Sequence, residues 1–287
     1  MTASASTSSV REALVSAVDA LRAAGIEDPR LDAELLLAEA TGWDRAKLAV
    51  DPEAGVPPGA ARLFGEMVRR RLRREPVAYI VGRKGFRRIE LAVDRRVLVP
   101  RPETELLVEL ALELRPRRVL DVGTGSGAIA LAIADELEGC ELLATDTSAA
   151  ALAVARANAE RLGLSQRVRF IEGMLPSDEM GWVGEGGAEP CDLVVANLPY
   201  VAETEWAGLE PEVTEWEPRE ALLAGPDGLD AIRAAIPAAA AAAPVLALEV
   251  GAGQAPTVGE LLFEAGFATV ETRPDLAGIS RVVWGKQ

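Results

Sequence analysis

The chain has no histidine among its 287 residues. That absence excludes a Ser-His-Asp triad, a zinc site with imidazole ligands and any mechanism that uses a histidine base. Cysteine is scarce as well, with Cys140 and Cys191 the whole complement. Two thiols cannot build a multi-disulfide scaffold or a thiolate metal cluster; no metal site is expected, and both thiols read as reduced. Long apolar runs are missing. The longest, near Ile236 to Val250, is interrupted by Pro237 and Pro244 and is too short to span a bilayer. The start, Met1 to Val10, is rich in Ser, Thr and Ala and lacks the basic and apolar regions of a signal peptide. A soluble, cytoplasmic protein is expected.

What the chain does have is ordinary globular composition, 49% hydrophobic and 26% charged residues, at a length that suits one large domain or two modest ones. The net charge of −15 argues against general binding to nucleic-acid backbones. Its distribution is uneven: Arg62 to Arg101 holds 13 Lys/Arg against 4 Asp/Glu, a net of +9, so the remainder carries −24. This basic stretch fits either a face for RNA or an acidic partner, or a solvated helix face and hairpin.

The first hundred residues read as helical. Val10, Leu14, Ala17, Val18 and Leu21 form one apolar stripe with Gly25 as a stop; Leu31 to Ala38 mark a second helix ending near Gly42. A loop over Asp51 to Gly59 precedes a third helix from Ala60 to Arg74, which Pro76 closes. Three helices make a small bundle. From Tyr79 to Val99 the pattern turns to strands, Ile89, Leu91 and Val93 alternating with polar or small neighbours, and predicts a hairpin with Arg87, Arg88, Arg95 and Arg96 on exposed edges.

After Pro102 helices and strands alternate. Helices are predicted at 103–114, 128–138, 149–162, 230–243 and 258–265. Strands are predicted at 118–122, 141–145, 168–171, 192–196, 245–250, 268–272 and 280–284. This alternation predicts an α/β fold with a mostly parallel seven-stranded sheet covered on both faces. The last two strands lack a helix between them, so one of them is expected to be antiparallel.

Three motifs carry chemistry. In Val119 to Ala128 a strand ends at Asp121 and a turn with Gly123, Gly125 and Gly127 opens a helix. Bare backbone lets a ligand approach closely, and free amides at the helix start favour an anionic group. The next strand ends at Asp146, 19 positions after Gly127, where a carboxylate can accept from both hydroxyls of a ribose. Asp146 could instead cap the helix that follows, although Thr147 or Ser148 can serve there. These two motifs fit an adenosine-bearing cofactor of more than one kind. The third motif, Asn197-Leu198-Pro199-Tyr200, follows the apolar strand ending at Ala196. It supplies an amide oxygen, the backbone carbonyl of Leu198, a rigid kink and an aromatic face. Two acceptors side by side can hold both hydrogens of a planar NH2 group and localise its nitrogen lone pair toward an electrophile.

In their order these motifs resemble class I (Rossmann-like) methyltransferases that use S-adenosylmethionine, in the group acting on planar nitrogens. They are most similar to the bacterial N(5)-glutamine methyltransferases that modify peptide chain release factors. Leu31 to Leu37, Glu75 to Ile80, the Pro-Arg-Pro-Glu-Thr run within Val99 to Val108, Glu217-Pro218, Gly228 to Asp230, Leu248 to Gly251 and Asp275 to Gly278 carry the resemblance beyond the three motifs.

The resemblance implies a helical substrate-recognition domain over 1–75, a hairpin linker over 76–99 and an S-adenosylmethionine-binding catalytic domain over 100–287. It implies that Gly123, Thr124, Gly125, Ser126 and Gly127 contact the methionine portion of the cofactor, with Asn197 adjoining it, and that Asp146 holds the ribose. Asn197, Leu198, Pro199 and Tyr200 would hold the glutamine side chain, and Arg101 to Thr104 would lie in a loop over the active site, with Arg101 and Glu103 on the substrate. Asn197, Pro199 and Tyr200 are the expected catalytic residues. Partners are expected to be release factors, with no membrane and no direct nucleic acid, and the chain is expected to be a monomer. Three departures stand out: Leu198 where proline is commoner, Gly173-Met174-Leu175 where an acidic-aromatic pair often adjoins the adenine, and Ala-rich sequence ending in Pro244 in place of Pro-Gly-Gly. Adenine in nucleic acid or glutamine in a ribosomal protein would suit the same chemistry. The run of Glu203, Glu205, Glu210, Glu212, Glu215 and Glu217 behind the box weighs against a nucleic-acid groove. A nicotinamide-dependent oxidoreductase would use the glycines and Asp146 but leave Asn197 to Tyr200 idle. A non-catalytic cofactor-binding protein is a further alternative.

Overall fold

A computed structural model describes residues 8–174 and 191–287. The described chain divides into two compact units, one of residues 8–82 with 211–216, the other of 83–174 and 191–210 with 217–287. No helix among the described residues is long and apolar enough to cross a membrane.

The first unit holds helices α1 (Val10–Ala23), α2 (Pro29–Thr41), α3 (Arg45–Val50), α4 (Pro58–Arg71) and α5 (Val77–Val81). A capping box starts α1: Ser9 Oγ accepts from the Glu12 amide while the Glu12 carboxylate accepts from the Ser9 amide. Proline at the first position starts α2 and α4, where a missing N–H costs nothing. Leu21, Leu36, Leu37, Phe64 and Met67 meet in its core. The expected three-helix bundle is therefore too simple. The stretch from Tyr79, expected to begin a strand, is a single helical turn between Pro76 and the left-handed cap Gly82. The segment 211–216, with helix α9 (Pro211–Thr214), completes this unit from far along the chain. Buried Arg71 pairs with Asp32 and Glu212 at 2.6 Å each, and Arg74 pairs with Glu212.

The second unit opens with an antiparallel hairpin, β1 (Arg83–Phe86) and β2 (Ile89–Ala92). It is shorter than the linker expected over 76–99. Helices α6 (Glu105–Leu114), α7 (Ala128–Glu136), α8 (Ala149–Leu162), α10 (Asp230–Ala242) and α11 (Ala255–Glu264) pack against a seven-stranded sheet. Its strands are β3 (Arg118–Val122), β4 (Glu141–Asp146), β5 (Val168–Glu172), β6 (Leu193–Ala196), β7 (Val245–Glu249), β8 (Thr269–Pro274) and β9 (Ser280–Lys286), in the order β5-β4-β3-β6-β7-β9-β8. β9 is the antiparallel member, pairing with both β7 and β8. Leu120, Leu143, Val194, Ile232, Leu246 and Phe267 fill the core, joined by Cys191. Both cysteines are free and buried.

Part of the basic stretch is paired within the fold, and Arg62, Arg69, Arg73, Arg83, Arg88, Arg95 and Arg96 are exposed. Arg70 pairs with Glu75, Arg71 and Arg74 with Glu212, Arg96 with Asp94 and Arg101 with Glu217. Arg87, expected on an exposed edge, is half-buried and pairs with Glu109 and Glu136. Arg62, Arg69 and Arg73 are the exposed arginines of α4 and the turn after it. Of the acidic run behind the box, Glu212 and Glu217 hold arginines, and Glu203, Glu205, Glu210 and Glu215 are exposed.

Candidate active site

The sheet reverses its winding between β3 and β6. Open α/β sheets bind ligands at such a switch point, beyond the carboxyl ends of the strands. Val122 of β3 stands opposite Thr145 of β4 and Ala196 of β6, so the residues that follow, Gly123, Asp146 and Asn197, emerge side by side. A cavity of about 340 Å³ lies there, within the roughly 300–1,000 Å³ usual for small-molecule sites. Gly123, Thr124, Gly125, Ser126, Asp146, Asn197, Leu198, Pro199 and Arg101 line it.

The glycine loop is built by hydrogen bonds to its neighbours. The Gly123 and Thr124 amides both donate to the Thr145 carbonyl at 2.9 Å. Thr124 Oγ1 donates to Asp121 Oδ2 at 2.6 Å, and the Ala130 amide donates to the same oxygen at 3.2 Å. Asn158, fully buried in α8, donates to the Ser126 and Ala92 carbonyls and accepts from the Ala92 amide, tying the loop to the hairpin. The glycines differ in purpose. A side chain at Gly125 (φ +57°) would meet no atom within 4 Å, so its open face belongs to the cavity. Gly127 (φ +85°) is not on the cavity wall; a Cβ there would stand 2.8 Å from Leu131 Cδ1. Its role is to seat α7.

Asp146 accepts from the Gly125 amide through Oδ2 at 2.9 Å and from the Ser148 amide through Oδ1 at 2.8 Å. The cap of α8 is Ser148, whose hydroxyl accepts from the Ala151 amide. A carboxylate has about four acceptor positions, so two remain on Asp146 for hydroxyl donors. Asp121 is fully buried, its Oδ1 without a hydrogen bond, and burial pushes its carboxyl up to about 7, with the Asp146 charge acting in the same direction. Bare glycine backbone and the spare acceptors on Asp146 fit a ribose-bearing ligand. Met174, exposed, lines the cavity with Thr147 and Gly173; Leu175, expected beside the adenine, lies outside the described residues.

Asn197 donates through Nδ2 to Thr104 Oγ1 at 3.1 Å. Leu198 supplies more than the expected carbonyl: its side chain is buried, and its Cδ2 would lie 3.2 Å from a Cβ placed on Gly123, so box and glycine loop pack together. Tyr200 and Glu103 are off the cavity wall. The Tyr200 hydroxyl donates to Glu249 Oε1 at 3.2 Å, and its carbonyl accepts from Gln254 Nε2 at 2.9 Å. Burial and the neighbouring Glu249 carboxylate hold the phenol well above its ordinary range. Gly228 belongs to this corner, since a Cβ there would come within 2.2 Å of the Tyr200 carbonyl. Arg101 reaches the cavity with its guanidinium against buried Glu217, Nη2 meeting both carboxylate oxygens at 2.7 and 2.8 Å. Burial raises the Glu217 carboxyl while Arg101 acts to lower it. Thr104 lies in the expected loop over the site and lines the cavity, whereas Glu249 and Asn158 carried no expected role.

A sheet in this strand order, with its ligand cavity at the switch point, is the fold of class I methyltransferases. Residues 119–215 match the family model of a methyltransferase domain, and residues 12–82 that of a PrmC N-terminal domain. Among solved structures, the hMettl16 catalytic domain in complex with a MAT2A 3'UTR hairpin superimposes with a TM-score of 0.54 at 17% identity, over 68% of this chain and 75% of that one. Full-length relatives are closer. The release factor glutamine methyltransferase of Cereibacter sphaeroides is 43% identical over 95% of this chain and 96% of its own length. That of Caulobacter vibrioides is 40% identical over 96% and 95%. The chain belongs to the release factor glutamine methyltransferases.

Proposed function

We propose that this enzyme transfers the methyl group of S-adenosylmethionine to the side-chain amide nitrogen of a glutamine in a peptide chain release factor. Its place would be the cytoplasm, in translation termination. The observation that carries the reading is the commitment of the Asn197 NH2 group to Thr104, which leaves the carboxamide oxygen as the atom to meet a substrate. With the Leu198 carbonyl it forms a pair of acceptors matched to the two hydrogens of a planar NH2. An amide nitrogen is a poor nucleophile because its lone pair is delocalised, and acceptors that draw its hydrogens out of plane localise that pair. Pro199 fixes the turn, and Tyr200 braces it from behind through Glu249.

Gly123, Gly125 and Asp146 are the residues that would hold the cofactor. When bound, it supplies a methyl group on a positively charged sulfonium with a neutral thioether as leaving group. No strong base is needed, because the nitrogen becomes cationic on methylation and its proton leaves readily to water. The first compact unit would recognise the protein substrate, a role supported by its match to a domain found beside the methyltransferase domain in this family.

The test is methyl transfer to purified release factors followed by intact mass, with Asn197→Ala alongside. The variant should lose on the order of 100-fold in turnover, the scale for one preorganised polar contact. Its affinity for S-adenosylmethionine should stay within a few-fold. A folded Asn197→Ala variant with normal transfer would remove the box from the mechanism.

A further inference from the structure

An asparagine can present either end of its carboxamide, and the two ends are nearly equal in shape. The reading above works with one of them alone. If the NH2 faced the substrate amide, two donors would oppose each other and the nitrogen would not be held. Something must therefore set which end faces the cavity.

The packing behind Asn197 contains such a device. Asn197 Nδ2 donates to Thr104 Oγ1 at 3.1 Å. A hydroxyl that accepts there must send its own proton elsewhere, and the nearby carboxyl of Glu249, on which Thr104 acts, has an Oε2 with no other hydrogen-bond partner to receive it. Glu249 also accepts from the Tyr200 hydroxyl. Thr104 is 3% exposed and Glu249 1% exposed, so water does not offer these groups alternative partners. The sequence of bonds then has one direction. Thr104 accepts from Asn197, its own proton is left to face Glu249, and the Asn197 oxygen is turned outward.

We infer that Thr104, backed by Glu249, is a positioning residue that fixes the orientation of the Asn197 carboxamide and so makes it an acceptor for the substrate nitrogen. The inference rests on the proposed role of Asn197 and adds two residues that touch neither reacting atom. Without the Thr104 hydroxyl nothing distinguishes the two ends, and in a share of molecules the NH2 meets the substrate.

The experiment compares Thr104→Val, which keeps the shape and removes the hydroxyl, with Thr104→Ser, which keeps the hydroxyl. Each is assayed for transfer to a release factor that the wild type methylates, with S-adenosylmethionine affinity and thermal melting in parallel. Thr104→Val should lose 10- to 100-fold in kcat with cofactor affinity within twofold; Thr104→Ser should stay within about threefold of wild type. Thr104→Ala, which adds no bulk, serves if valine does not fold. In an Asn197→Ala background the valine substitution should cost less than twofold further, because it acts through Asn197. A hydroxyl-free variant with full kcat overturns the inference, as does an equal loss in the Asn197→Ala background or a serine variant as impaired as the valine. If Asn197→Ala is inactive while Thr104→Val is fully active, the inference alone falls. A wild type that transfers nothing to release factors overturns the reading beneath it as well.

Discussion

Gly125 and Gly127 are two residues apart in one loop, and alanine at each should fail in a different way. At Gly127 the backbone has φ +85°, which costs an L-residue about 1–2 kcal/mol. The new methyl would also stand 2.8 Å from Leu131 Cδ1 and 3.3 Å from Ala155 Cβ. Both belong to packed helices, and overpacking of this kind costs about 1–3 kcal/mol. Less chain freedom in the unfolded state returns about 0.4–1 kcal/mol. Gly127→Ala should therefore destabilise by about 2–4 kcal/mol while leaving the cavity wall in place. At Gly125 the φ of +57° carries a similar strain, but no atom lies within 4 Å of the added methyl, so the net loss should be about 1 kcal/mol or less. There the methyl projects into the cavity, and S-adenosylmethionine should bind at least tenfold more weakly, about 1.4 kcal/mol. Urea unfolding followed by circular dichroism reads the first quantity, and titration calorimetry the second. A Gly127→Ala variant with the wild-type midpoint, or a Gly125→Ala variant with wild-type affinity, would refute the division of labour.

Asn158→Leu should destabilise by about 3 kcal/mol, since it strands the Ala92 amide and carbonyl and the Ser126 carbonyl in a buried site; an unchanged urea midpoint would contradict the network. Arg71→Met leaves Asp32 buried without its cation and should cost about 3–5 kcal/mol at neutral pH, much of which Asp32→Leu in the same chain should restore; additive losses would count against the pair. Glu249 has its carboxyl pushed by burial from an ordinary 4.5 up to about 7, among Thr104, Tyr200, Glu103 and Arg281. The native state holds a proton there that the unfolded chain has released, so this group removes stability as pH rises from about 4.5 to 7. Glu249→Gln abolishes the effect, and its stability relative to wild type should improve by up to about 3 kcal/mol across that window. A difference that does not vary with pH would show that Glu249 is ionised throughout.

The sheet was legible because its strands are short, apolar on both faces and punctuated by glycine or acid, as in Val119 to Val122 and Leu193 to Ala196. Asp146 and Asn197 were legible for a related reason, since a polar residue ending such a strand has little to do in a core. Helix α5 was misread because Val77, Tyr79, Ile80 and Val81 are strand formers; the proline before them and the left-handed glycine after them decide for one helical turn. Of the hairpin arginines predicted on exposed edges, Arg88, Arg95 and Arg96 are exposed and Arg87 is not, because a charge count does not reveal partners such as Glu136 that lie far along the chain. Asn158 and Glu249 gave no local signal. Each is an ordinary residue of its helix or strand by pattern, and its use depends on which backbone or hydroxyl folding brings beside it.

The helical segment 211–216 bears on how the protein is made. Glu212 lies 138 residues beyond Arg74, whose guanidinium it accepts from. A ribosome adding about 5–20 residues per second delivers it on the order of ten seconds after the helices it joins. Through that interval the nascent helices carry Arg71 and Arg74 without this carboxylate, and Trp216, which donates to the Arg73 carbonyl, is missing too. The part synthesised first is thus finished only after β6 and the Asn197 turn have emerged. A fragment cut after Gly82 stays at that unfinished stage: it keeps every long helix of its unit and lacks the acid that Arg71 and Arg74 share.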